Sequence, residues 1–209
     1  IDEFQDTSTV QWQNFKVLLE ECMSHSSEQG NLIVGDVKQS IYRWRSGDWR
    51  MLNNIEREFP TMINMLNVKS LDTNYRSSRR VINFNNAFFT QAAEIEYRDL
   101  TNGDELQDEN TDNSAEQLKK AYSDVEQKVP DFRKQTGYVS VELLPQDDYL
   151  EQTLQKTADA VRELLEAGAE SSDIAIIVRS NSTIQQLAEY FAEAMPDVRI
   201  VSDEAFRLD

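Results

Sequence analysis

Apolar positions along the chain follow two different periods, and the order in which those periods alternate predicts the architecture. Over residues 8–25, "STVQWQNFKVLLEECMSH", Val10, Phe15, Leu18, Leu19 and Cys22 or Met23 recur at steps of three and four. That spacing predicts a helix, with Ser8 or Thr9 as its N-cap. "NLIVGD" (31–36) is a short apolar run that ends in glycine and aspartate, as a buried strand would. "DWRMLNNIEREF" (48–59) predicts a second helix, stopped by Pro60. Residues 64–77 alternate as a strand that runs into a polar turn, and 77–95 predict a helix with Val81, Ile82, Phe84, Phe88 and Phe89 largely on one side. Farther on, strands are predicted over 136–145, 171–182 and 198–203, and helices over 147–169, closed by Gly168, and 182–196. Strands separated by helices of this length predict an α/β fold with a parallel sheet.

One segment breaks the rhythm. Residues 99–117, "DLTNGDELQDENTDNSAEQ", are acidic and poor in large apolar groups, so an exposed, flexible loop is expected. The chain of 209 residues carries a net charge of −17, which by itself argues against a polyanionic partner. The charge is unevenly spread, however. Residues 1–80 hold ten Lys or Arg against eleven Asp or Glu, whereas residues 81–209 hold eleven against twenty-seven. A near-neutral first part with clustered arginines is compatible with a nucleic-acid groove, because local field governs binding more than the total does. Cys22 and His25 are the only cysteine and histidine, which excludes an internal disulfide and a Cys/His zinc cluster. No apolar run is long enough to cross a bilayer and no basic-then-apolar leader opens the sequence, so a cytoplasmic protein with no membrane association is expected.

Polar groups suited to phosphate chemistry gather where strands are predicted to end. "IDEFQDT" sets Asp2 and Glu3 side by side; at a strand's carboxyl end, one carboxylate can hold a metal while its neighbour addresses a water. Alone, such a pair is more often a solvated turn. "VGDVKQS" places Gln39 three residues beyond Asp36, where an amide can donate to a phosphate oxygen and accept from a water. "TNYRSS" adds Tyr75, able to stack on a purine, and Arg76, able to stabilise charge on a transferring phosphoryl group. Arg76 could equally pair with Asp72. Between them, Tyr42 and Trp44 stand among Arg43, Arg45 and Arg50. Aromatic faces interleaved with guanidinium groups suit a flat, anionic ligand, although both rings could instead cap the core. Trp12 and Trp49 read as packing residues, and Arg43, Arg79 and Arg80 as solvated charges.

Taken in order, "IDEFQDT", "VGDVKQSIYRWRSGD" and "LDTNYRSSRRVINFNN" resemble the second, third and fourth motifs of superfamily 1 DNA helicases of the UvrD/Rep group. The later "DIAIIVRSNSTIQQLAEYF" and "VRIVSDEAF" resemble the second motor domain of that group, closest to the AddA and RecB helicase-nuclease branch. The resemblance implies parallel-sheet P-loop NTPase domains of RecA type: residues 1–66 as the end of the first motor domain, and 67–209 as part of the second. It implies ATP and Mg2+ as cofactors, with Asp2 holding the metal, Glu3 as general base and Gln39 sensing the γ-phosphate. Tyr75 would stack on adenine and Arg76 would serve as an arginine finger. Tyr42, Trp44 and Arg45 would contact single-stranded DNA, and a second helicase-nuclease subunit is an implied partner. Translocation would run 3′ to 5′.

Departures from the group's pattern carry their own expectation. There is no GxxxxGK[ST] phosphate loop in the 209 residues, and "RWRSGD" stands where aromatic-Arg-Gly-Ala is usual. The chain is therefore expected to be an internal piece of a longer helicase, inactive on its own. Two other readings stay open at this point. One is a truncated remnant that serves as an interaction module; the other is a metal-dependent hydrolase using Asp2, Glu3, Asp6 and Asp36.

Overall fold

The computed structural model describes residues 1–25, 30–41, 47–102 and 114–202. They divide into two compact units, Ile1–Val139 and Ser140–Asp209.

In the first unit, α1 (Thr9–His25) carries apolar residues on more than one face, and only one of them is packed. Trp12 is buried against Phe4, Met51 and Phe59, with Leu19 and Met23 partly covered beside it. Of the expected apolar set only Leu19 and Met23 join this core; Val10, Phe15 and Leu18 are exposed. Trp12, Leu19 and Met23 are separated by seven and four residues, so they share a stripe that the three- and four-residue steps of the other apolar positions obscured. Edge-on ring contacts fix the cluster, with centroids 4.9 Å apart for Phe4 and Trp12 and 5.7 Å for Trp12 and Phe59. The Trp12 indole donates to Glu58 Oε2 at 2.7 Å, so its polar edge is satisfied at the rim of this core.

The helix expected over 48–59 forms as two, α2 (Trp49–Asn53) and α3 (Ile55–Glu58). Asn54 divides them: its amide donates to the Arg50 carbonyl at 3.0 Å and to Gln117 Oε1 at 2.8 Å, competing with the backbone ladder. Asp48 caps α2 by accepting from the Arg50 N–H. The long α4 (Arg79–Asn102) runs past the predicted end, and α5 (Ser114–Ala121) packs against α4 and α2. The acidic stretch is thus helical at both margins, and its middle lies outside the described residues. Glycine is required at 137: its φ is +98°, and a Cβ there would overlap Ser78 at the start of α4.

The second unit is built on α6 (Tyr149–Glu166) and α7 (Asn181–Ala194). Leu154, Ala158 and Val161 of α6 meet Leu187 and Phe191 of α7, with Met195 closing the cluster and Ile174, Val178, Val198 and Ile200 against it. Gly168, at φ +97°, ends α6 with its N–H on the Leu165 carbonyl, while Ala169 bonds to Leu164.

The parallel sheet expected from the sequence is not present as a ladder among the described residues. Parallel pairing survives at single points. The Ile1 amino group donates to the Leu32 carbonyl and the Ile1 carbonyl accepts from Val34, and Lys128 bonds in the same way to Asp72 and Asn74. No backbone hydrogen bond joins the extended stretches 139–144 and 174–178. Leu143 and Ile177 are 92% and 94% exposed, and a trough of about 440 Å3 is lined by both stretches and by Thr157, Val161 and Leu164 of α6. Alternation fixes which side chains share a face, but a strand becomes part of a sheet only when a neighbour takes its backbone groups. No described helix is long and apolar enough to cross a membrane.

Candidate nucleotide site

Glu3 holds an unusual backbone conformation, φ 49° and ψ 43°, in the left-handed region that a residue with a Cβ rarely adopts. It sits between the parallel pairing at Ile1 and the 3-10 turn Phe4–Asp6, where the buried Phe4 anchors the chain in the first core. Its N–H is held by Asp2 Oδ1 at 3.0 Å, and both carboxylates are exposed.

From Glu3 a continuous chain of hydrogen bonds leads to Gln39. The Gln5 amide donates to Glu3 Oε2 at 2.6 Å, and Gln5 Oε1 accepts from the Asp36 N–H at 3.0 Å. Gln5 is only 2% exposed. It lies so close to Gly35 that a Cβ there would stand 2.7 Å from Gln5 Oε1. Asp36 then caps the 3-10 turn Val37–Gln39 by accepting from the Lys38 N–H at 3.0 Å, and its second oxygen accepts from Gln39 Nε2 at 3.1 Å. Glu3 and Gln39, more than thirty positions apart in sequence, are therefore joined through Gln5 and Asp36.

Tyr75 and Arg76 form a second group. Asn74 Oδ1 accepts from the Arg76 and Ser77 N–H groups at 2.9 Å, which turns the chain just before α4. The Arg133 guanidinium donates to the Tyr75 carbonyl, and the Tyr75 ring stacks on Phe132 with centroids 6.5 Å apart. Asp72 is engaged by Lys128, not by Arg76. Hydrogen bonds from Lys128, then Thr73, hold the Asp72 carboxyl below the usual carboxylate range. Tyr42, Trp44 and Arg45 lie outside the described residues. Among the described residues, Asp2, Glu3, Asp6 and Asp36 do not form a metal-binding cluster of three or more ligands. A hydrolase with its own metal cage would need such a cluster, whereas Mg2+ uses one or two carboxylates and completes its shell with water and phosphate oxygens.

Comparison with known proteins decides the family. The model of the UvrD/REP helicase N-terminal domain matches residues 1–60, and that of the UvrD-like helicase C-terminal domain matches residues 69–207. The chain belongs to the UvrD/Rep helicase family. Membership implies a P-loop NTPase fold. Similar proteins include the exonuclease/helicase subunit RexA of Lactococcus lactis subsp. cremoris (strain MG1363), 28% identical over 98% of this chain. RecBCD enzyme subunit RecB of Chlamydia trachomatis serovar D is 38% identical over 43% of the chain, and ATP-dependent DNA helicase PcrA of Bacillus subtilis is 37% identical over 39%. The chain spans 16% of the length of RexA, 8% of the RecB and 10% of the PcrA.

Within this UvrD-like chain the sequence reading missed three residues of the network: Gln5, Lys38 and Asp124. Lys38 Nζ lies 3.0 Å from Asp36 Oδ1 and 3.2 Å from Asp124 Oδ1, and Asp124 Oδ2 accepts from Ser70 at 2.6 Å. Burial opposes charge on Lys38, but hydrogen bonding and attraction from Asp36, then Asp124, outweigh it and raise its pKa. Burial likewise works against the Asp124 carboxylate, yet Ser70 and Lys38 hold its pKa below the ordinary value. One usable signal was present in the residue order, a glutamine two residues after Glu3 and directly after Phe4. Nothing in that order pairs Lys38 with a residue 86 positions away.

Proposed function

We propose that this chain is the segment of an ATP-dependent DNA helicase that carries the hydrolytic carboxylates, the γ-phosphate sensor and the first elements of the second motor domain. The observation that carries the reading is the hydrogen-bonded path from Glu3 through Gln5 and Asp36 to Gln39. A general base and a phosphate sensor act on the same oxygen-rich centre, so holding them in one network positions both at once. Asp2 is the residue that would hold magnesium, which supplies charge screening to the triphosphate when bound. Glu3 accepts the proton of the attacking water. Gln39 donates its amide to the γ-phosphate, Tyr75 stacks on the base of the nucleotide, and Arg76 brings a guanidinium to the transferring group.

Residues 1–66 belong, in this reading, to the first motor domain and 67–209 to the second. The extended stretches 139–144 and 174–178 become strands of a parallel sheet when further strands of the parent fill the trough between them. Tyr42, Trp44 and Arg45, close in sequence to Gln39, grip single-stranded DNA by stacking and phosphate contact, so a change at the nucleotide reaches the DNA within five residues. The parent translocates 3′ to 5′ in repair or recombination, in the cytoplasm, as part of a helicase-nuclease complex; similarity to RexA and RecB supports that branch.

The test is ATP hydrolysis by the full-length parent and by the 209-residue chain. The parent should turn over ATP in the presence of single-stranded DNA and lose that activity with Glu3→Gln. The chain alone should show no turnover, because it has no GxxxxGK[ST] cradle for the triphosphate. Normal turnover by the Glu3→Gln parent, or Glu3-dependent hydrolysis by the chain alone, contradicts the reading.

A further inference from the structure

Lys38 occupies a position that the roles above leave unused. It belongs to the same 3-10 turn as Gln39, and its ammonium is shared between Asp36, in the segment matched by the N-terminal domain model, and Asp124, in the segment matched by the C-terminal one. Asp124 is fixed from its other side by Ser70, also in the C-terminal segment. Asp36 is fixed by Gln5 through its N–H, and one of its oxygens holds Gln39. The connection therefore runs unbroken from Ser70 through Asp124, Lys38 and Asp36 to the Gln39 amide. Lys38 also lines a cavity of about 160 Å3 with Asn85, Asn86, Phe89, Tyr122 and Gln127, which leaves its flexible stem room to follow a moving partner.

We infer that Lys38 is a positioning residue that couples the Gln39 turn, through Asp124, to residues 67–139, the part of the proposed second motor domain that packs in the same compact unit as Lys38. The inference rests on the helicase reading above. A displacement of Asp124 relative to Asp36 changes how the Lys38 ammonium is divided between the two carboxylates. Because Asp36 also holds Gln39, the sensor amide feels that change through the Asp36 carboxylate. An ammonium on a four-carbon stem suits this task, since it can keep one carboxylate while trading distance to another. The coupling is local and electrostatic, and it works in both directions.

The experiment is steady-state, DNA-stimulated ATP turnover by the full-length parent carrying Lys38→Met, Asp124→Asn and both together, with Lys38→Arg, Asp124→Glu and Glu3→Gln alongside. Each of the first two variants should lower kcat by roughly tenfold while KM for ATP stays within about twofold. The double variant should fall no further than the more damaging single, because both remove one link. Lys38→Arg and Asp124→Glu, which keep the charges, should recover most of the rate. Wild-type kcat in either single variant, a double loss equal to the product of the singles, or an effect confined to KM overturns the coupling while Glu3→Gln remains inactive. Asp124 is exposed, so Asp124→Asn and Asp124→Glu carry the test if Lys38→Met does not give folded protein. Turnover by Glu3→Gln would instead remove the helicase reading, and the coupling with it.

Discussion

The two ends of this chain reach different degrees of completion. Around residues 1–60, Phe4, Trp12 and Phe59 enclose one another edge to face, and the polar groups beside them are tied into a chain from Glu3 to Gln39. Around residues 138–202, α6 and α7 bury one cluster, while the apolar stretches beside them keep Leu143 and Ile177 almost wholly in water. The polar network from Glu3 to Gln39 thus closes within residues 1–60, whereas the extended stretches beside α6 and α7 make no backbone hydrogen bonds to one another.

Arg76 puts that contrast under the greatest strain, because its proposed role needs the second domain in place. Arg76→Ala in the parent should lower ATP turnover by about 10³-fold or more, as loss of an arginine finger does. A near-normal rate would assign Arg76 to the surface. Next comes stability of the 209-residue chain by denaturant unfolding. Phe4→Ala should cost about 3–5 kcal/mol, because the ring is buried among other aromatics. Ile177→Ala should change stability by less than about 0.5 kcal/mol in the chain and, if the proposed strand neighbour covers it in the parent, by about 2 kcal/mol or more there. Equal losses in chain and parent would show that the exposed face is complete as it stands. Trp44→Ala should weaken single-strand binding by the parent by about 1–3 kcal/mol at fixed salt; unchanged affinity would return that ring to packing.

The weakest of these effects concerns pH. Asp124 has a lowered pKa, so its ion pair contributes above the ordinary carboxylate value of 3.8 and is lost as pH falls through the folded value. Lys38 has a raised pKa, so its contribution is present below 10.5 and is lost only as pH rises through a still higher value. The stability gap between wild type and Asp124→Asn should therefore be flat from about pH 5 to 9 and shrink in acid. With Asp124 about half exposed, the gap should be no more than about 1 kcal/mol. A gap that opens or closes near neutrality would point to a different partner for Lys38.

Helices and chemistry were legible in the sequence to different depths. Positions of α1, α4, α6 and α7 followed from periodicity, and Gly168 marked the end of α6 because only a glycine sits easily at φ +97° there. On α1, Trp12, Leu19 and Met23 pack as read, while Val10, Phe15 and Leu18 stay exposed, since two apolar stripes share one helix and periodicity cannot say which one finds a neighbour. α5 was hidden by its acidic, polar surroundings; it is held by Gln117 receiving hydrogen bonds from Asn53 and Asn54, which no hydrophobic pattern reports. Asn54 breaks the 48–59 helix for the same reason. Asp2, Glu3 and Gln39 were legible as motif residues, yet the glutamine that joins them, Gln5, becomes evident only when Gly35 brings the two segments within contact.

Asp2, Glu3, Gln39 and Arg76 are all assigned here to one triphosphate. A structure of the full-length parent with a non-hydrolysable ATP analogue, magnesium and single-stranded DNA tests that assignment without an intermediary. Glu3 should lie within about 3 Å of a water poised at the γ-phosphate, with the Gln39 amide and Arg76 guanidinium on γ-phosphate oxygens. A nucleotide bound elsewhere, with these four side chains facing separate surfaces, would contradict it.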